Sequence, residues 1–94
     1  FASIVTEKEK VTAAEKALKT LQARQTETAT EQDRVRKNLE AVGSESQQGR
    51  AFLIKLLTLE TELDNLKTDI AAATEQLNKA QQTFAAFVKN MRVD

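Results

Sequence analysis

The 94-residue chain predicts an all-α fold: two long helices forming an antiparallel coiled-coil hairpin, with pairing of two hairpins into a four-helix bundle as a further option. Three observations carry this. Apolar residues recur at alternating steps of three and four along most of the chain; the spacing averages about 3.5 residues, just under one helical turn, and draws one narrow stripe down a helix. Proline is absent and glycine occurs only at Gly43 and Gly49, too few breakers for a strand-rich or loop-rich fold. Both glycines fall in a short interval between the two periodic segments, among residues that cap helices.

The second segment is the clearest. Phe52, Leu56, Leu59, Leu63, Leu66, Ile70, Ala73, Leu77, Ala80, Phe84, Phe87 and Met91 hold the rhythm without a break. A seam that regular needs a partner helix. The first segment supplies one in Val11, Ala14, Leu18, Leu21, Gln25, Thr28, Gln32, Val35, Leu39 and Val42. Ala, Leu, Lys, Glu, Gln and Arg dominate between these positions and favour helix. Opposite charges four apart, Glu15 with Lys19 and Asp33 with Lys37, add local support.

Boundaries follow from capping chemistry. Thr6-Glu7-Lys8-Glu9 reads as a capping box, in which the Thr hydroxyl accepts from the Glu9 amide and the Glu9 side chain reaches back. It predicts a first helix over about 6–42, with Phe1 to Val5 extended against another part of a larger protein; a helix running uncapped from the first residues is the alternative. The chain opens on Phe1 rather than Met, in keeping with a piece of such a protein. Gly43 offers a left-handed C-cap, and Ser44-Glu45-Ser46-Gln47 offers a new start with Ser44 or Ser46 as N-cap. A turn at 43–47 and a second helix over about 47–92 result, and helices joined so closely run antiparallel. Both caps argue against one continuous helix.

The preferred register sets Leu39 opposite Phe52, Val35 opposite Leu56, Leu21 opposite Ile70, Leu18 opposite Ala73 and Ala14 opposite Leu77. Large meets small in these layers, as close packing requires. A shift of one heptad, with Val42 opposite Leu56, fits nearly as well but leaves a longer loop.

Composition removes most kinds of chemistry. With neither histidine nor cysteine, the commonest general base, the thiolate nucleophile and the usual zinc ligands are missing. No catalytic, cofactor-binding or metal constellation is visible, so neither enzyme activity nor a cofactor is expected. Glu60 and Asp64, one turn apart, are too few to enclose a cation. The 14 basic and 14 acidic residues are interleaved, which builds no field for nucleic acid. Arg34, Arg36 and Lys37, with Arg50 across the turn, are the densest basic group. Glu31, Asp33 and Glu40 share those turns and no aromatic is there to stack on bases, so a solvated face is favoured over phosphate contact. No apolar run approaches the roughly 20 residues that cross a bilayer, and no membrane insertion is expected.

What remains is protein interaction. Gln25, Thr28 and Gln32 interrupt the first seam and face Leu66, Leu63 and Leu59. Such polar residues fix register at some cost in stability; alternatively they open a recognition window that a third element covers. Leu53 and Leu57 widen the apolar face of the second helix off the seam, toward a flank that stays wet unless something packs there. The partner is either a second copy of the chain or the remainder of a larger one.

Glu31-Gln32-Asp33-Arg34-Val35-Arg36-Lys37-Asn38-Leu39, a glycine turn, and then Phe52-Leu53-Ile54-Lys55-Leu56 resemble a recurring helical hairpin. Over residues 31 to 66 the chain resembles the coiled-coil segment of the bacterial mucoidy-inhibitor-like family, proteins of unknown function that join β-rich regions to a helical hairpin. The resemblance implies a bacterial protein, exported or of the cell envelope, whose hairpin is an arm or spacer. It transfers no catalytic residue, because the matched positions are structural.

Overall fold

A computed structural model describes residues 2–91. It contains α1 (Ala2–Val42, 41 residues) and α2 (Gln47–Asn90, 44 residues), with no strand among the described residues. The chain is an all-α helical hairpin, and its cross-helix contacts run antiparallel. Gln32 meets Glu60 and Glu31 meets Lys55 near the turn, while Lys8 meets Phe84 far from it in sequence.

The reversal is made by four residues. Gly43 adopts φ +81°, a left-handed conformation that side chains resist, and its amide donates to Leu39 O at 2.8 Å, closing α1. Ser46 is the N-cap of α2, which resolves the choice between the two serines. Its Oγ accepts from the Gly49 amide at 2.9 Å and donates to Gly43 O at 2.8 Å, so one hydroxyl holds the end of one helix to the start of the next. Arg50 adds a bond from Nη1 to Glu45 O at 3.0 Å. Gly49 is buried, and a β-carbon built on it would collide with the carbonyl oxygen of Gly43. The connecting segment is therefore 43–46, one residue shorter than the sequence predicts.

The start of α1 differs from expectation. The helix is already formed at Ala2 and runs through Thr6, so residues 2–5 are helical rather than extended and Thr6 is not the N-cap. Heptad continuity is the reason. Ile4 lies seven residues before Val11, continues the seam by one more turn, and is half-buried, as is Glu7 between them. Covering Ile4 outweighs the contribution of a cap, which is typically about 1 kcal/mol. Phe1, and the expected end of the second helix at residue 92, lie outside the described residues.

Packing falls into two units. The turn-proximal unit, Gln22–Thr68, takes its core from Val35, which is fully buried, with Thr28, Leu59 and Leu66. Leu39, Phe52, Leu56 and Leu63 are half-buried around them. Val42, the last position of the first seam, is exposed. In the preferred register its counterpart is Gly49, which offers no side chain to cover it.

The second unit combines α1 up to Leu21 with α2 from Asp69. Val11 is its buried centre, and Ile4, Ala14, Leu18, Leu21, Ile70, Ala73, Leu77, Ala80 and Phe84 are half-buried. The α2 seam does not stay covered to its end, since Phe87 and Met91 are exposed. Leu77, opposite Ala14 in the preferred register, is half-buried.

Threonines inside the helices cost little. Thr26, Thr58, Thr61, Thr68 and Thr74 each donate their hydroxyl to the carbonyl four residues back, so none competes with the helix for its amides.

Candidate functional site

The residues singled out for interaction divide into two groups. Leu53 and Leu57 lie outside the seam and stay open, and Ile54 beside them does too, at 40%, 70% and 67% exposure respectively. Phe52, Leu56 and Leu59 occupy the inward positions of the same turns, so Leu53, Ile54 and Leu57 have no place in the hairpin's interior.

The other group is closed. Leu59, Leu66 and Thr28 are buried, and Leu63, Gln25 and Gln32 are half-buried. A window in which a third element covers the leucines of residues 59–66 is thus filled by the hairpin itself. One of its polar residues is bonded across the helices. Gln32 turns its amide outward and donates from Nε2 to Glu60 Oε2 at 2.8 Å across the helices. No buried side-chain nitrogen or oxygen lacks a hydrogen-bond partner among the described residues.

Beside Gln32 stands an ion cluster joining the two helices. Arg34 grips Glu31 with two bonds of 2.7 Å, from Nε to Oε1 and from Nη2 to Oε2. Lys55 Nζ approaches the same carboxylate from α2 at 3.2 Å. The Arg34 guanidinium, followed by the Lys55 ammonium, holds the Glu31 carboxyl down at about 2, and Glu31 in turn raises Arg34. The cluster marks register: Glu31 and Lys55 pair across one flank of the seam, and the seam residue Gln32 reaches Glu60 on the other flank of α2. Both contacts agree with the tighter register and not with the one-heptad shift.

The basic group of α1 is matched by acids on its own helix. Arg36 and Lys37 both approach Asp33, at 3.5 and 3.4 Å, and Arg34 is engaged as described. Such a face is solvated rather than unpaired. Among the described residues no three of His, Cys, Asp or Glu gather where a metal ion could be held, and no helix is long and apolar enough to cross a membrane.

One surface was not foreseen from the sequence. In the terminal unit a shallow apolar groove is lined by Ile4, Val5, Lys8, Thr12, Ala13 and Phe84, among others, with Lys8 Nζ 5.4 Å from the centre of the Phe84 ring. A large ring at Phe84 facing the polar Glu7 in the preferred register was the available signal: it cannot be swallowed by the seam and emerges at its side. Phe87, Val88 and Met91 continue the exposed apolar surface on α2.

Comparison with protein-family models, curated proteins and solved structures returns no match to this chain.

Proposed function

We propose that the chain is a non-enzymatic structural or interaction module, a coiled-coil arm or spacer belonging to a larger bacterial protein, as its likeness to the mucoidy-inhibitor-like segment implies. The observation that carries the reading is a seam satisfied from within. The heptad positions of both helices are at least half-covered from Ile4 to Leu39 and from Phe52 to Phe84, and Gln32, a polar break in the seam, is bonded across the helices to Glu60. A hairpin of this kind projects a fixed surface and needs no ligand to complete it. Absence of histidine and cysteine and the even balance of charge fit the same role.

The second reading is a dedicated helix-binding hairpin, of chaperone-like or adaptor type. It is favoured by the exposed row of Leu53, Ile54 and Leu57, with Leu59, Leu63 and Leu66 being buried or half-buried.

Titration of the isolated chain with amphipathic helical peptides, followed by light scattering and circular dichroism, separates the two. A folded hairpin that takes up none of them supports the arm. Saturable binding abolished by Leu57→Lys supports the adaptor.

A further inference from the structure

We propose that the face carrying Leu53, Ile54 and Leu57 is the docking site for a second copy of the chain, packed antiparallel about a two-fold axis through Leu57. The inference deepens the reading of the hairpin as an interaction module by naming its partner. Arg50, Leu57 and Asp64 stand seven residues apart, which on a helix places them in one line along one face. Leu53 and Ile54 lie one turn from both Arg50 and Leu57, and all five residues are exposed. The line is basic at Arg50, apolar from Leu53 to Leu57, and polar and acidic at Glu60, Thr61 and Asp64.

That order is self-complementary in one direction only. An antiparallel copy sets Leu57 on Leu57 and Arg50 of each chain against Asp64 of the other, twice over. A parallel copy would set like charges together. A two-fold arrangement is the ordinary way in which one patch serves as its own partner. The Gln32–Glu60 bond assists it, because it draws toward α1 a carboxylate that would otherwise meet Ile54 of the partner. Only a short stretch of each helix is engaged, so the area falls at or below the lower end of specific interfaces, about 1,200 Å², and the association is weak and concentration-dependent.

The test is sedimentation equilibrium of the whole chain over a wide concentration range at low salt. The mass of the parent should rise toward twice that of one chain, and Leu53→Lys with Leu57→Lys should hold it at one. Arg50→Glu alone and Asp64→Arg alone should each weaken the dimer. The Arg50→Glu, Asp64→Arg double variant should restore it, and so should an equimolar mixture of the two single variants. Helicity read by circular dichroism should stay constant throughout. A parent that remains a single chain at every concentration overturns the proposal, as does a dimer that survives the two lysines or is not recovered by the double reversal. A folded but monomeric hairpin overturns the dimer alone. Loss of the spin-label proximity between the helices described below would instead overturn the module on which the proposal rests.

Discussion

Where a β-carbon on Gly49 would stand, the carbonyl oxygen of Gly43 stands instead. The two glycines are thus one feature. Gly43 turns the chain through a left-handed conformation, and Gly49 lets the turned carbonyl settle against the first turn of α2 and accept the Ser46 hydroxyl.

Replacing Gly49 by alanine should therefore destabilise the protein, although glycine to alanine within a helix ordinarily adds up to about 1 kcal/mol of stability. Gly43→Ala meets no neighbour and is opposed only by its φ, at a cost of about 1–2 kcal/mol. Thermal melts followed by circular dichroism decide the matter. A Gly49→Ala protein that melts at or above the parent temperature would show that the turn tolerates a side chain.

Burial sorts the leucines of α2 into two kinds with different costs. Leu66, only 4% exposed, should lose roughly 2–5 kcal/mol on replacement by alanine, through lost transfer energy and the void left behind. Leu57, mostly in water, should change stability by no more than about 0.5 kcal/mol when measured at concentrations too low for self-association. Denaturant unfolding of the two variants checks this. Equal losses would mean that the seam runs elsewhere.

The Glu31 cluster sets a pH dependence. Its carboxyl is lowered from 4.5 to about 2 in the folded chain by Arg34 and then Lys55. Its contribution to stability is therefore fully present above the unfolded value and is lost as the pH falls through the folded one. Because the cluster is solvent-exposed, the effect is modest and salt-sensitive. The gap in melting temperature between the parent and Glu31→Gln should be largest near neutrality and shrink between about pH 5 and 2. A gap that does not change with acidity would remove Glu31 from the account.

Antiparallel pairing is open to direct measurement. Spin labels replacing Glu31 and Lys55, whose charged groups lie 3.2 Å apart, should report a separation on the order of one to two interhelical spacings, about 10–20 Å. A single continuous helix would hold the same positions about 36 Å apart.

Most of the fold was legible in the sequence because it depends on one periodicity. Every α2 residue placed on the seam from Phe52 to Phe84 is at least half-covered, and no long-range information was needed to find them. The start of α1 was misjudged for a physical reason. Thr6-Glu7-Lys8-Glu9 satisfies a local capping rule, while Ile4 satisfies the heptad, and cross-helix coverage overrode the local preference. Gly49 could be recognised as a weak helix former but not as a necessity, since the oxygen that excludes a side chain belongs to a residue placed there only by the completed turn. The exposure of Leu53 and Leu57 is legible in the sequence because they fall off the seam. The burial of Leu59, Thr28 and Leu66 is not legible in one dimension, where the polar Gln32 looks unsatisfied in the seam although it reaches sideways to Glu60.

The Ser46 bridge also bears on the order in which the molecule comes together. Closing a loop costs entropy that grows with the length of chain enclosed, by about 0.6 kcal/mol for each doubling. Gln32 and Glu60 stand 28 apart in sequence, and Lys8 and Phe84 far more. A reversal already held by a hydroxyl shared between two helix ends makes the shortest loop first, and each later layer then closes only a small additional one. The hairpin is in this sense a zipper with its slider at residues 43–46. Trimming from the chain ends should shorten it layer by layer, whereas damage at the slider reaches every layer beyond.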